Sequence, residues 1–333
     1  MTVRERFQKT LDFEKPDRLP IFELAGWWPE TLKTWQKDGL DFESFNKNSY
    51  EYMGMDDHRE FYIKCKTEKF EYTEKPNEPK ITNARDYHIF KKDHLFPEDW
   101  IIKNTDRIEC LKEMQSRGDI AVWVNFEGFF WFPRTLFGIE PHFYAFYDHP
   151  ALMHEMNGEY CEYLLNRIDE FCDILIPDFM IVSEDMSYNH GPMCGKDMFD
   201  AFMAPYYRRL TTKIKSRGDI KIFMDSDGNP EEMIPWFLSV GVEGITPNER
   251  QAGVDINRIR QNHPRLLLLG GFNKMVMDKG EEAIRAEFER IFPVMRQGGY
   301  IPGCDHQTPP NVTLSQYRQY QSVQREYCKK AVL

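Results

Sequence analysis

Apolar and polar residues alternate along the chain as short hydrophobic runs separated by longer amphipathic stretches. From about residue 119 onward the rhythm is regular, and each apolar run has the length of a β-strand. Strands are predicted at 19–23, 120–125, 180–183, 220–224, 244–246, 266–270 and 300–302. Helical patterns are found at 150–171, 196–216, 230–238, 254–262, 280–296 and 314–327. This alternation predicts a mostly parallel sheet with crossover helices.

The strand pattern favours a closed barrel over an open sheet. An open dinucleotide-binding sheet would carry a Gly-x-Gly-x-x-Gly sequence after its first strand, and the chain has none. We therefore predict a single α/β domain over residues 1–333, a (β/α)8 TIM barrel whose eighth strand lies in the segment 140–180. Short aromatic-rich stretches among polar residues at 27–118 indicate an irregular N-terminal insertion of hairpins and short helices.

The composition is that of an acidic globular chain of 333 residues. The 54 Asp and Glu residues outnumber the 43 Lys and Arg residues, which gives a formal net charge of −11. Since no basic run is present, neither nucleic acid nor a membrane surface is an expected partner. No apolar stretch could span a bilayer, and we expect no signal peptide. The 7 scattered cysteines, without Cys-x-x-Cys spacing, are typical of reduced thiols and predict a cytoplasmic protein.

Acidic side chains follow two of the predicted strands, at the end where barrel enzymes carry their catalytic residues. Asp225 and Asp227 come directly after the strand at 220–224, and an extended i, i+2 pair points to one face, as ligands of one metal do. Their alternative role is an N-cap for the helix that begins near Pro230. Glu249 follows the next strand, where it could instead form a structural salt bridge.

Two further polar clusters follow predicted strands. The last strand leads into a loop rich in Gly and Pro that contains Cys304 and His306, although a free cysteine is more often a small hydrophobic residue than a ligand. Glu184 and Asp185 follow the strand at 180–183, where they could instead accept hydrogen bonds from loop amides.

Aromatic residues cluster next to these strand ends. Trp27 and Trp28 follow the first strand, and Glu127 precedes a run of four aromatic residues that begins at Phe129 and contains Trp131. Most aromatic side chains belong to cores, but four in succession are not expected to face inward throughout. We therefore predict a pocket with an acidic base and aromatic walls, suited to an uncharged or cationic ligand better than to a polyanion.

Four motifs together resemble the uroporphyrinogen decarboxylase superfamily. They are Val-Arg-Glu-Arg-Phe at 3–7, Lys-Pro-Asp-Arg-Leu-Pro-Ile at 15–21, the segment 225–229 and the glycine-rich loop 298–310, so the resemblance spans nearly the whole chain. It implies a (β/α)8 barrel and one of two activities. Members either decarboxylate tetrapyrroles without a cofactor or transfer methyl groups to or from corrinoid cofactors at a zinc site.

The chain departs from the decarboxylase branch at the first strand. The decarboxylases carry an Arg-Gln-Ala-Gly-Arg motif there, which binds the carboxylates of the substrate, whereas this chain has Glu-Leu-Ala-Gly-Trp at 23–27. Both arginines are replaced, one of them by an acid. A polyanionic porphyrinogen would be repelled instead of bound, so decarboxylation of uroporphyrinogen is not expected.

The chain also departs from the zinc motif of the methyltransferase branch. That branch uses a His-x-Cys pair after a middle strand, a nearby Glu and a distant Cys in the last glycine-rich loop. At the matching positions this chain has Asp225, Asp227, Glu249 and Cys304, which are its predicted metal ligands. A site rich in oxygen ligands suits polarisation of an ether oxygen better than activation of a thiol. Zinc is the expected metal because Cys304 is retained.

The residues and the resemblance together predict the methyltransferase component of an O-demethylation system. A methyl group would pass from a methoxylated, aromatic donor to the Co(I) of a corrinoid on a separate protein, since the chain has no Asp-x-His-x-x-Gly cobalamin-binding motif. His306 or Asp185 would protonate the departing oxygen. The residues predicted to contact the donor are Trp27, Trp28, Glu127, Phe129, Trp131 and Glu184.

Two alternative functions stay open on the sequence alone. A decarboxylase of a less anionic acid would share the barrel and would need no metal. A non-catalytic corrinoid-binding module would bind cobalamin without consuming a methyl donor. A barrel of this size often forms a homodimer, but nothing in the sequence defines an interface.

Overall fold

The computed structural model describes residues 1–72 and 78–333. Its strands are β1 (His58–Tyr62), β2 (Ala121–Glu127), β3 (Phe179–Ser183), β4 (Ser187–Tyr188), β5 (Gly191–Pro192), β6 (Lys221–Asp225), β7 (Gly244–Thr246), β8 (Leu267–Phe272) and β9 (Tyr300–Cys304). A sheet of 7 strands has the order β1-β2-β3-β6-β7-β8-β9, and every neighbouring pair in it is parallel. The strands β4 and β5 form a separate antiparallel pair.

Helices connect the parallel strands, and most of them pack against the outer face of the sheet, whereas the first packs against its inner apolar cluster. They are α1 (Val3–Leu11), α2 (Pro29–Lys37), α3 (Phe42–Lys47), α4 (Ser49–Tyr52), α5 (Ala84–His94), α6 (Trp100–Ser116), α7 (Trp131–Phe137), α8 (Ile139–Asp148), α9 (Pro150–Ile174), α10 (Lys196–Phe202), α11 (Ala204–Arg217), α12 (Ile234–Ser239), α13 (Ile256–Asn262), α14 (Glu281–Met295) and α15 (Leu314–Lys330). Within the described ranges, no helix combines the length and the apolar character that a membrane crossing requires.

The sheet is curled, because side chains from distant strands meet on its inner face. Trp123 of β2, Phe179 of β3 and Ile301 of β9 belong to one buried cluster, which Phe7 of α1 joins. The alternate residues of the same strands, such as Val122, pack in the larger cluster that includes the helices. Both faces of the sheet are therefore apolar, which explains the nearly continuous hydrophobic runs of the strands.

A segment without a strand ladder lies between the two edges of the sheet. Residues 19–24 are extended, and near the β1 edge Ile21 exchanges hydrogen bonds with Asp56, whose amide donates to the Ile21 carbonyl at 3.0 Å. On the β9 side, the amide of Cys304 donates to the Glu23 carboxylate at 2.9 Å. The strand predicted at 19–23 is thus extended chain that is held largely by side chains. Pro20 lacks the amide hydrogen that a ladder would use. The architecture is a curled, parallel half-barrel, consistent with the predicted barrel.

The structure confirms six of the predicted strands, as β2, β3, β6, β7, β8 and β9. The eighth strand is not in the segment 140–180, which forms α8 and α9 before β3 begins. Its place is taken by β1, which lies inside the predicted insertion at 27–118. In the described part of that insertion we find β1 and the helices α2 to α6 but no hairpin, and residues 73–77 lie outside the described residues.

Candidate active site

A cavity of about 430 Å³ opens at the carboxyl ends of the parallel strands. We call it the strand-end cavity. Three aromatic side chains line it, those of Tyr62, Trp123 and Trp131. Its acidic lining consists of Glu60, Glu184, Asp185, Asp225 and Asp227. The predicted pocket, acidic at the base and aromatic on the walls, therefore exists at the predicted end of the sheet.

The inner face of the sheet changes from apolar to polar toward this end. Trp123 stacks on Phe179, with ring centroids 5.8 Å apart, in the apolar layer. Further along the same two strands, the Ser183 hydroxyl donates to Asn125 at 2.9 Å, and Asn125 in turn donates to Glu60 of β1. Since alternate residues of a strand share one face, these polar side chains point into the cavity above the apolar layer.

Asp227, Glu249 and His306 form the one group among the described residues that could hold a metal ion. One ligand atom from each lies within 4.8 Å of the others, and all three side chains are partly buried. The Gly228 amide donates to Glu249 Oε2 at 2.9 Å, and His306 Nε2 lies 3.6 Å from Asp227 Oδ2. Two carboxylate oxygens and one imidazole nitrogen suit a divalent ion such as zinc, so the donor set fits the predicted metal.

The loop after β6 requires glycine at position 228. Gly228 has a φ of +81°, and a Cβ atom there would lie 2.5 Å from the carbonyl carbon of Tyr188. The loop therefore passes directly against the β4 strand. This close approach fixes the backbone next to Asp227, whose amide donates to Asp185 at 3.1 Å.

The carboxylates in the cavity raise the pKa values of their neighbours. Burial, followed by the charge of Asp227, raises the pKa of Asp185. Burial and then the carboxylates of Asp227, Asp185 and Glu249 raise the pKa of Asp225 well above its ordinary value. The Asp227 carboxylate raises the pKa of His306. The site thus favours protons or other cations.

Glu184 has a structural role in addition to lining the cavity. It is fully buried and accepts hydrogen bonds from the amides of Phe130 and Trp131 and from the Tyr207 hydroxyl. Burial raises its pKa to about 8, although these hydrogen bonds lower it. A Cβ atom at position 128 would lie 2.0 Å from Glu184 Oε2, so only Gly128 leaves room for the carboxyl group. Glu184 therefore fixes the position of Trp131 on the cavity wall.

The predicted metal ligands separate into two sets. Asp227 and Glu249 lie together with His306, whereas Asp225 and Cys304 are outside that group. Asp225 lines the strand-end cavity, and no described residue donates a hydrogen bond to its carboxylate. Cys304 is buried, and burial followed by the charge of Glu23 raises the pKa of its thiol well above the ordinary value.

The predicted catalytic and aromatic residues have different positions. Asp185, His306 and Trp131 all line the cavity. Trp28 lies at its rim, half exposed, with its ring centroid 6.3 Å from that of His306. Trp27 does not line the cavity and packs instead against the side chains of Trp35, Phe45 and Tyr317.

Two of the residues predicted to contact the methyl donor are buried away from the cavity. Glu127 forms an ion pair with Lys66, with Nζ 2.5 Å from Oε1, and both side chains are buried. Phe129 is fully buried against Tyr160 and Tyr207. Glu127 ends β2 and points toward Lys66, and Phe129 follows that strand and packs against α9 and α11, so neither side chain faces the cavity.

Sequence reasoning missed cavity residues that lie on the strands themselves. Glu60 and Tyr62 belong to β1, which lies inside the predicted insertion, and Trp123 belongs to a predicted strand whose apolar run indicates only a core position. The usable signal was the i, i+2 spacing of Glu60 with Tyr62 and of Trp123 with Asn125, which places each pair on one face of a strand. Lys274, which lies 3.3 Å from Glu249, carried no sequence signal.

The fold and the site together define a class, that of parallel α/β barrel proteins with a polar, metal-competent site at the carboxyl ends of the strands. The family model for uroporphyrinogen decarboxylase (URO-D) matches residues 138–327. The chain belongs to this family, which confirms the resemblance seen in the sequence. No curated protein is similar enough in sequence to count as a match.

Solved structures resemble this chain to different degrees. A methyltransferase from Methanosarcina mazei is 14% identical, with a TM-score of 0.65 and 98% of both chains covered, so the two proteins share a fold. A putative vitamin-B12 independent methionine synthase from Listeria monocytogenes is 13% identical, with a TM-score of 0.41 over 68% of this chain and 67% of the other. Endo-glycoceramidase II from Rhodococcus sp. is 14% identical, with a TM-score of 0.44 over 92% and 80%. The last two similarities are too weak to bear on function.

Proposed function

We propose that this protein is a corrinoid-dependent methyltransferase that moves a methyl group from a methoxylated, aromatic donor to the Co(I) of a corrinoid on a separate protein. The observation that carries the proposal is the position of the metal-competent group beside an aromatic-walled cavity at the same end of the sheet. Membership of the family and the fold shared with the methyltransferase from Methanosarcina mazei support it.

In this proposal a zinc ion is held by Asp227, Glu249 and His306. Zinc bound there would supply Lewis acidity, which draws charge from the ether oxygen of the donor. His306 replaces Cys304 in the ligand set because it lies within reach of both carboxylates, whereas Cys304 is buried and lies outside this group. The fourth predicted ligand, Asp225, faces the cavity and remains free to contact the donor.

The proton that the departing oxygen needs is assigned to Asp185. Its Oδ1 accepts a hydrogen bond from the Asp227 amide. Burial and the Asp227 charge raise its pKa, so it holds a proton at higher pH than an ordinary carboxyl group. His306 would be occupied as a ligand, which leaves Asp185 as the acid. Tyr62 and Trp131 would hold the aromatic ring of the donor between the walls of the cavity.

The decarboxylase alternative lacks the cationic side chains that a carboxylate substrate requires. Among the described residues that line the cavity there is no Lys and no Arg. Glu23, at the position of the first family arginine, is buried and accepts hydrogen bonds from the Tyr320 hydroxyl and the Cys304 amide. An anionic acid would therefore meet an acidic lining in which His306, the one potential cation among the described lining residues, already lies 3.6 Å from Asp227.

An anaerobic spectrophotometric assay tests the proposal. Loss of cob(I)alamin absorbance and growth of the methylated form would be followed with methoxylated phenols, and zinc content would be measured on the same sample. We expect Asp227→Asn to lose bound zinc and methyl transfer together. Asp219→Asn, the same change at an exposed position before β6, should retain both. Turnover by metal-free protein, or full zinc content in Asp227→Asn, would contradict the proposed site.

A further inference from the structure

The strand-end cavity contains more carboxyl groups than the proposed metal would use. Asp227 and Glu249 would balance the two charges of a zinc ion, and the buried Glu184 is saturated by Tyr207 and two amides. Asp225 and Glu60 remain. The Asp225 carboxylate accepts no hydrogen bond from any described residue, and the Glu60 carboxylate accepts one, from Asn125 at 2.9 Å. Asp185 adds a further carboxyl group beside them.

Three cationic side chains lie near the cavity. The Arg107 guanidinium donates to the backbone carbonyl of Glu60 at 3.2 Å and lies 4.8 Å from the centroid of the Phe61 ring. The Arg134 guanidinium lies 4.8 Å from the centroid of the Trp131 ring and donates to the backbone carbonyl of Asp185. The Lys274 ammonium lies 3.3 Å from Glu249 and 3.6 Å from the buried Asp305. None of these three side chains lines the strand-end cavity, whereas Glu60, Asp185 and Asp225 do.

The aromatic walls add a second and independent preference for a cation. Tyr62, Trp123 and Trp131 all contribute to the lining. The face of an aromatic ring carries partial negative charge and attracts ammonium groups, most strongly when the ligand is shielded from water. Tyr62 and Glu60 are separated by one residue on β1, so a ring and a carboxylate are presented on the same face of one strand.

We infer that the methyl donor carries an ammonium group, which Asp225 and Glu60 bind among the aromatic rings, and that carboxylated donors are excluded. This inference rests on the proposed function and narrows its substrate class to methoxylated aromatic amines. The carboxylates serve twice in this arrangement. They attract the cationic donor, and they repel the methoxybenzoate type of compound that has the same size and the same methyl ether.

Three ligands of similar shape and size but different charge would isolate the effect of charge on binding. They are para-methoxybenzylamine, para-methoxybenzyl alcohol and para-methoxybenzoate, which are cationic, neutral and anionic at pH 7. Isothermal titration would measure their dissociation constants for the full chain loaded with zinc and for the chain without it. We expect the amine to bind about tenfold more tightly than the alcohol, and the benzoate to bind more weakly than either.

The double variant Asp225→Asn with Glu60→Gln should reduce the preference for the amine over the alcohol to about twofold while leaving affinity for the alcohol unchanged, because only the charge is removed. Unchanged affinity for the alcohol also shows that the variant is folded. Glu109→Gln, at an exposed position on α6, is the matched control and should behave like the natural chain.

Equal or tighter binding of the benzoate, or no binding of the amine, would overturn the inference. The titration requires neither corrinoid nor methyl transfer, so it is independent of the proposed reaction. If the amine binds selectively but no methoxylated compound methylates cob(I)alamin, the proposed function fails and the cation site stands. If the benzoate is demethylated as readily as the amine, the proposed function stands and the inference fails.

Discussion

A buried histidine outside the active site carries two unpaired nitrogen atoms. His142 on α8 is fully buried, its ring centroid lies 4.7 Å from Phe130 and 4.8 Å from Phe146, and neither Nδ1 nor Nε2 has a hydrogen-bond partner among the described residues. Burial lowers its pKa to about 3. Unpaired buried polar atoms lower the free energy of unfolding. A buried neutral imidazole also becomes protonated when the chain unfolds in acid, which favours the unfolded state.

Replacing His142 by Phe should therefore stabilise the protein. We expect a gain of about 1–3 kcal/mol in the free energy of unfolding at pH 8, from removal of the unpaired nitrogens. The gain should be larger at pH 5. Between about pH 6.5 and 3 the unfolded chain binds a proton that folded His142 refuses, so the natural protein loses stability as the pH falls.

Urea unfolding at both pH values would measure this effect. His190→Phe, at an exposed position, is the control and should change the free energy of unfolding by less than about 0.5 kcal/mol. A destabilised His142→Phe protein would indicate that the site has no room for the larger ring.

The loop that follows β2 depends on a glycine that touches the carboxyl group of Glu184. A methyl group at Gly128 would lie 2.0 Å from Glu184 Oε2 and 2.5 Å from the Tyr207 hydroxyl. We expect Gly128→Ala to cost about 1–3 kcal/mol of unfolding free energy, as overpacking does, and to displace Trp131. Gly158→Ala, in the middle of α9 with its nearest contact at 3.8 Å, should instead add about 0.5–1 kcal/mol. Thermal unfolding and the affinity for an aromatic ligand would be measured on both variants.

A buried ion pair joins the chain after β1 to the end of β2. Lys66 and Glu127 are both buried, and Cys65 also donates to the Glu127 carboxylate. Lys66→Met should destabilise the protein by about 3–5 kcal/mol, because it leaves a buried carboxylate without its cation. The double variant with Glu127→Met should recover most of that loss. Chemical unfolding of Lys66→Met, Glu127→Met and the double variant would complete a double-mutant cycle. A double variant no more stable than Lys66→Met would contradict this explanation.

Strands with two apolar faces could be predicted from the sequence, whereas β1, whose polar residues interrupt its apolar pattern, could not. β2, β3 and β8 give hydrophobic runs because helices cover one face and the apolar inner cluster covers the other. β1 reads His-Arg-Glu-Phe-Tyr, and its Glu60 faces the cavity. The residue that contributes to the site thus interrupts the pattern that would have revealed the strand.

At the scale of the whole molecule, a ligand that binds only the folded chain must stabilise it. Zinc at a free concentration about 100 times its Kd should add about 2.7 kcal/mol to the free energy of unfolding. Thermal unfolding with zinc and with a chelator would measure the shift. The shift should disappear in Asp227→Asn and persist in Asp219→Asn. A shift that persists in Asp227→Asn would place the binding site elsewhere.

The site as a whole could be predicted in position but not in composition. Asp227 and Glu249 follow neighbouring strands β6 and β7, so parallel pairing alone brings them together. His306 was expected to act as an acid, and its proximity to both carboxylates depends on how the loop after β9 folds back. Cys304 lies at the end of β9, but the hydrogen bond from its amide to the buried Glu23 ties this position to the edge segment at 19–24.

That edge segment also has a mechanical consequence. Every other neighbouring pair around the curled sheet is joined by a backbone ladder, whereas residues 19–24 meet the edge strands mainly through the Asp56 and Glu23 side chains. Separation of residues 19–24 from the edge strands breaks fewer main-chain hydrogen bonds than separation of two paired strands. Local opening of the sheet should therefore cost the least free energy at this place. Because residues 19–24 end beside the strand-end cavity, such local opening would widen the mouth through which, in the proposed function, a corrinoid on another protein would reach the donor.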